Sequence, residues 1–435
     1  MHLISHPLLV FGLLGVGLSM TGSPGSGTLD FSRNRSGLST ARAEAIYCTP
    51  DSVSLPGQEN LYTDNPIAAA LRVAGPGTFI HLSPGDYRPF TIGMGSRSDA
   101  NADTRGGKRG EPIIIEGSAG VRIVGSFDTI AINYVVPVGF ITFRDLTIVP
   151  GSRSGVIFYK QPKAIYRGFS FEDCHILGSY NHLTGRGQPS KWGVKANNLA
   201  DFRFVGKRAP ARIENIAVEH GFYLQNHLGP ILIERVHAKA LGRTFVQFTA
   251  RAAEGPPGKG TIKIKDCQVE DVCIGRGDAF KGGSAFTFAG RLNCRILLEN
   301  NSYRAGFNKA FHKLTRRGQP YGTGAVAAWT EGTRERNGIL VLRDNRFSTA
   351  EGCGDRALVA IGGCKQVDLI GKNVFVSGGK YEALALDPVR LTGKKISPAN
   401  GPVFMAKGTE ITGRITIAGK AASAKQLDKL AHRQK

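Results

Sequence analysis

The stretch ITFRDLTI (141–148) decides the fold: apolar and polar residues alternate up to Arg144, the chain breaks at a polar residue, and an apolar run resumes. Alternation with period two marks a strand, and an Asp at the break marks a turn. The same phrase returns as FSFEDCHI (169–176), ILIERVHA (231–238), IKIKDCQV (262–269), ILLENNSY (296–303) and LVLRDNRF (340–347). With Asp145, Asp173, Arg235, Asp266, Asn300 and Asp344 as markers, the steps are 28, 62, 31, 34 and 44 residues. Coils of about 25 to 30 residues with loop insertions, and one step holding two coils, account for this spacing. DFRFVG (201–206) supplies the strand missing from the long step.

A second set of strands precedes these phrases: GFYLQ (221–225), TFVQF (244–248), SAFTF (284–288), AVAAW (325–329) and ALVAI (357–361). Two or three strands per coil, stacked in register, predict an all-β fold, a single-stranded right-handed parallel β-helix or solenoid. A propeller or a sandwich also uses many short strands, but neither repeats one phrase at slowly varying spacing with Asn, Asp or Cys in one column. NPIAAALRVA (65–74), with Asn65 as N-cap and Pro66 in the first helical position, predicts a short helix capping the N-terminal end of the stack. The basic, helix-prone AASAKQLDKLAHRQK (421–435) is a tail or a second cap.

The run GPGTFIHLSPGDYRPFTI (75–92), followed by GEPIIIEGSAGVRIVG (110–125), resembles the opening coils of polysaccharide lyases of the chondroitinase B and alginate lyase type, within the pectin-lyase-like superfamily. EHGFYLQNH (219–227) is similar to a coil common in that superfamily. The resemblance covers residues 60–380 as architecture, and it implies an activity on acidic, uronate polysaccharides.

With 435 residues and 57 glycines, the chain suits a single elongated body that turns often. Lys and Arg outnumber Asp and Glu 56 to 34, a net charge of +22 whose field concentrates polyanions at the surface. The basic residues form no recognised nucleic-acid module, so an acidic polysaccharide is the expected partner rather than a specific nucleic acid. Leu8 to Met20 is an apolar run of signal-peptide length. Residues 1–25 are therefore expected to be a signal peptide or signal anchor, 26–60 a linker, 61–420 the β-helix and 421–435 the tail. This arrangement places the protein outside the cell or in the periplasm or envelope, with no transmembrane segment after signal removal. Seven cysteines without metal-ligand spacing exclude a zinc module, and a Cys353–Cys364 disulfide is one of two open alternatives. No cofactor and no metal are expected.

Alternation also predicts a site. With Phe222 and Leu224 turned inward, Tyr223 and Gln225 face outward, with His220 and His227 near the two ends of the strand. One coil on, Gln247, Thr249 and Arg251 face outward, with Arg243 just before the strand and Lys281 in the coil after. β-Elimination on a uronic acid requires neutralisation of the carboxylate, removal of the proton α to it and protonation of the departing oxygen. C5 epimerisation shares the first two steps. Arg supplies the first, and His, Tyr or a Lys of lowered pKa the others. His220, Tyr223 and Arg243 are the expected catalytic group, and Gln225, His227, Gln247, Arg251 and Lys281 the expected substrate contacts. The competing reading is a non-catalytic polysaccharide-binding or adhesion protein of the envelope.

Hydrolysis is disfavoured because no Asp-Asp pair occurs, which leaves only dispersed carboxylates such as Glu219, Asp271 and Asp278. The same dispersion argues against a strong Ca²⁺ site. GRGDAFKGG (275–283) lacks a P-loop ending, and RAPAR (208–212) differs in spacing from the Arg-Pro-Arg segment of pectate lyases. The loops around Trp192 and Tyr321 are expected to wall a groove and offer rings for sugar stacking.

Overall fold

A computed structural model describes residues 45–435 except 59, 94–100, 103–105, 134–138, 161–164, 251–257, 275–282, 313–323, 331–335, 354–355, 380, 388–389, 392–393, 396–398, 424, 427–428 and 430–435. Each repeated phrase folds as two strands joined by a corner of one or two residues. The first halves form sheet A, in which Phe79–Leu82, Ile113–Gly117, Gly139–Arg144, Tyr166–Glu172, Phe202–Val205, Ile231–Glu234, Thr261–Lys265, Arg295–Glu299, Asn337–Arg343, Cys364–Ile370 and Val403–Met405 are successive parallel neighbours. The second halves form sheet B, from Gly85–Tyr87 to Glu410–Thr412. The second set of strands forms sheet C, which includes Asp128–Ile132, Ser154–Phe158, Trp192–Asn197, Phe222–Gln225, Val246–Ala250, Ser284–Gly290, Gly324–Trp329 and Val359–Ile361 in that order. The chain visits A, B and C once per coil, with every coil parallel to the last. It is a right-handed parallel β-helix, the hand that parallel crossovers take.

The corner between sheets A and B explains the marker residues. Asp145, Asp173, Arg235, Asp266, Asn300 and Asp344 all have φ between 51° and 56°. This left-handed conformation is one that Asp and Asn tolerate best among residues with a side chain. Gly371 continues the column at φ 71°. Arg235 lacks that local preference; its guanidinium donates to the Lys207 carbonyl at 2.6 Å.

The position after the corner points into the lumen and carries a ladder. Asn301, Asn345 and Asn373 are fully buried, and each side-chain oxygen accepts the backbone N–H of the preceding coil, Cys267, Asn301 and Asn345 in turn, at 3.0–3.1 Å. Their amide groups donate to the carbonyls of Ile264, Leu298 and Leu342. Buried corner groups that no strand can pair are thereby satisfied. Leu146, Cys174 and Cys267 hold the same column in earlier coils. Elsewhere the lumen is stacked apolar side chains, with Phe143, Phe171 and Phe204 piled on successive coils at centroid distances of 4.7 and 5.8 Å.

The helix predicted at 65–74 runs Pro66–Val73, and Asn65 Oδ1 accepts the Ala68 N–H at 3.2 Å. Ile67, Ala68, Ala70 and Leu71 are buried against the end of the stack. One expectation is corrected, and one open alternative is decided. Part of the expected linker belongs to the fold: Ile46–Thr49 pairs in parallel with Phe79–Leu82 and antiparallel with Ser52–Ser54, because its alternating Ile46 and Cys48 add a rung to sheet A over the core. All seven cysteines are free and buried, Cys353 and Cys364 included. Of the tail, Lys420–Ala421 folds back on Ile415–Ile417, and most of 421–435 lies outside the described residues.

Candidate functional site

Sheet C positions the site. Its strands place Lys195, Tyr223, Gln247 and Thr287 in one column of register-matched residues on adjacent coils. Their inward neighbours Val194, Ala196, Phe222, Leu224, Val246 and Phe248 are buried, which fixes the outward phase of Lys195, Tyr223 and Gln247. A second column runs just before the strands. Lys191, Glu219 and Arg243 each donate a backbone N–H to the carbonyl of the preceding rung, Arg153, Lys191 and Glu219, at 2.9–3.0 Å. Rungs are about 4.8 Å apart, so the two columns line a narrow strip along the solenoid axis.

Each charge in the strip has a definite partner or lacks one. Arg153 forms a 2.6 Å ion pair with the buried Asp128 carboxylate, donates to the Tyr159 hydroxyl at 2.6 Å, and lies over the Phe127 ring at 4.5 Å. Arg243 pairs with Glu219 at 2.9 Å. Glu219 also meets His220 Nε2 at 3.3 Å, and His220 Nδ1 contacts the Thr244 hydroxyl. Burial, with Arg243 adding to it, holds the His220 imidazole neutral well below its usual pKa. With the ring neutral, the Glu219 contact is a close polar approach and not an ion pair, and the direction of the Nδ1–Thr244 bond follows the tautomer. Lys195 has no carboxylate within ion-pair distance among the described residues. Its ammonium lies 4.0 Å from the Trp192 ring centroid, and Lys191 lies 5.6 Å from the same ring. Burial, then the Arg153 and Lys191 charges, lower the Lys195 pKa below the usual lysine value.

The predicted residues divide accordingly. Tyr223, Gln225 and Gln247 stand outward as expected, with Gln225 Nε2 donating to the Tyr223 hydroxyl at 3.2 Å. Thr249, expected outward, is buried. His220 is 2% exposed and stacks beneath Tyr223 at 5.0 Å, so it supports the face without presenting itself to a polymer. His227 is fully buried, packed on Phe248 and Gly258. It stands where the chain turns inward after the strand, and strand alternation does not extend there. Both of its ring nitrogens lack hydrogen-bond partners among the described residues, and burial pushes its pKa down to about 4. Arg251 and Lys281 lie outside the described residues, as do Tyr321 and Asp278. Asp271 is buried in sheet B, in a different row from Glu219.

Sequence reasoning missed Lys195, Lys191, Arg153 and Asp128, and considered Glu219 only as a hydrolytic carboxylate. WGVKAN (192–197) alternates like the recognised strands and carries Lys195 on its outward phase, a signal the same rule finds. Arg153 and Lys191 precede their strands, and no local pattern marks them.

No protein-family model matches the chain, and no curated protein sequence matches it. Among solved structures it is similar to an alginate lyase from Paenibacillus sp. strain FPU-7 (12% identity, TM-score 0.44, covering 84% of this chain and 99% of that one). It is also similar to a pectate lyase (14% identity, TM-score 0.41, covering 87% of this chain and 81% of that one).

Proposed function

We propose that the strip on sheet C acts on an acidic polysaccharide outside the cytoplasm, by β-elimination or by C5 epimerisation. The observation that carries this reading is the juxtaposition of Lys195, an amine of lowered pKa, with Tyr223 on the adjacent rung of an outward face. A neutral Lys195 amine takes the proton from the carbon α to the uronate carboxylate. Lys191, on the same coil as Lys195, offsets the charge that develops on that carboxylate, and Arg243 holds the next one that faces the column. In elimination the electron pair left on that carbon becomes the new C=C bond as the neighbouring C–O bond breaks, and the Tyr223 hydroxyl protonates the leaving oxygen. In epimerisation a proton returns to the opposite face of the same carbon. His220 is a positioning residue, holding Tyr223 from below and Glu219 from the side.

The test is incubation of the purified protein with alginate, pectate and glycosaminoglycans, following ultraviolet absorbance of unsaturated product and solvent-proton exchange at C5. Lys195→Gln is expected to reduce turnover at least a hundredfold, the low end for loss of a general base, with polymer affinity changed only a fewfold. Full turnover in Lys195→Gln would remove the amine from the reaction. The second reading, a non-catalytic polysaccharide-binding protein, is favoured by one observation: Arg153 and Arg243 are both held in fixed contacts suited to display. Binding by the wild-type protein without product or exchange on any of these polymers would select it.

A further inference from the structure

We infer that Glu219 is a specificity-determining residue, one that sets how densely charged a polymer the strip accepts; the inference rests on the polysaccharide reading above. The column before the sheet C strands reads Arg153, Lys191, Glu219, Arg243 on four successive rungs, three cations interrupted by one carboxylate. Glu219 is not buried out of play, since its side chain is 29% exposed. Its carboxylate is held in place, bonded to Arg243 at 2.9 Å and packed 3.3 Å from His220 Nε2, with the Thr244 hydroxyl fixing the imidazole from behind. An ordinary solvated glutamate would swing aside for an incoming anion. This one cannot do so without giving up its bond to the Arg243 guanidinium.

The consequence follows from spacing. Lys191 and Arg243 are two rungs apart, about 10 Å. A polyuronate that turns successive carboxylates to opposite sides presents one to this column on every second rung, and seats them on Lys191 and Arg243 with neutral hydroxyls opposite Glu219. A polymer carrying several sulfates or phosphates per repeat brings an anion to the Glu219 rung as well and is repelled there. Specificity of this kind comes from a placed repulsion as much as from attraction. Glu219 also raises the Lys195 pKa while Arg153 and Lys191 lower it, so the same carboxylate touches both selectivity and the state of the amine.

The experiment compares the full chain with Glu219→Gln, which keeps an acceptor for Arg243 and His220 and removes the charge, and with Glu219→Asp, which keeps the charge. Each is titrated with polygalacturonate and with heparin at two salt concentrations. For Glu219→Gln we expect heparin binding to tighten roughly three- to fivefold, the size of one unmasked, partly exposed charge, with polygalacturonate changing less than about twofold. Its heparin affinity should also fall more steeply with salt. Glu219→Asp should keep the wild-type preference. An unchanged heparin-to-polygalacturonate ratio in folded Glu219→Gln overturns the inference, as does loss of selectivity in Glu219→Asp. If the wild-type protein binds neither polymer, the polysaccharide reading itself fails. If it binds, and Lys191→Gln weakens that binding while Glu219→Gln leaves the ratio alone, only the inference about Glu219 fails.

Discussion

Lys195 and His227 show how the same stack gives two titratable groups opposite fates. Lys195 sits half-buried on the outward face, where burial and the Arg153 and Lys191 charges depress its pKa while Trp192 covers its ammonium. An activity that needs its free amine should rise with pH through a limb set below the usual lysine range, and Lys195→Gln should abolish that limb in a pH–rate profile. His227 is enclosed, and its folded pKa near 4 lies below the ordinary 6.5 of an exposed imidazole. The sign follows from proton counting. Between those values the unfolded chain binds a proton that the folded protein refuses, so stability is fully present above about pH 6.5 and is lost as pH falls toward 4. A gap of that size corresponds to an upper limit of about 3 kcal/mol. Urea melts at pH 7 and pH 4.5 should show this loss, and His227→Leu should shrink it; an equal acid loss in His227→Leu would place the titration elsewhere. The outward phase of Tyr223 and Gln247 was legible because they lie within alternating strands. His220 and His227 each lie two residues beyond the ends of Phe222–Gln225, where corner geometry rather than period two decides burial.

At the level of elements, the repeated phrase is a strand, a left-handed corner and a strand, and its chemistry is local enough to read directly. Asp or Asn at the corner relieves the cost of positive φ, and Asn in the next position closes the hydrogen bonds that the corner opens. Asn345 stands in the middle of the ladder, accepting from Asn301 and donating to Leu298. Asn345→Ala strands the Asn301 N–H and the Leu298 carbonyl in the lumen and should cost about 2–4 kcal/mol. A denaturant midpoint within error of wild type would show that the lumen has other partners for them. The ladder's Asn column was only partly visible, as Asn301 and Asn345 in the last two repeated phrases. Its direction was not, since each amide reaches a coil 28 to 44 residues away whose register depends on the intervening loop.

Across the whole molecule the +22 charge is unevenly spent. The outer face of sheet A is largely self-compensated: Arg144 bridges Glu116 and Glu172, Lys207 meets Glu172, Lys265 meets Glu234, and Glu299 holds both Lys263 and Arg343. Exposed pairs of this kind add little stability, but they cancel the field that would draw a polyanion. On sheet C, Lys191 and Lys195 carry no such partner among the described residues. Lys191→Gln with Lys195→Gln should therefore weaken polygalacturonate binding and flatten its salt dependence, whereas Lys263→Gln with Lys265→Gln should leave both nearly unchanged. Equal losses from the two double variants would mean that binding follows total charge and not the sheet C strip.

The amino-acid sequence by itself determined the solenoid, because period-two alternation, the corner residues and the Asn65-capped helix act within a few residues of one another. Tertiary structure alone decided which side chains form the site. Arg153, Lys191, Glu219 and Arg243 become neighbours only because successive coils stack rung on rung, and the loops between them differ in length, so no fixed spacing announces the column. The same stacking decided that Arg243 is paired with Glu219 while Lys195 has no carboxylate partner among the described residues. A net charge counts residues, whereas an electric field depends on where their partners stand.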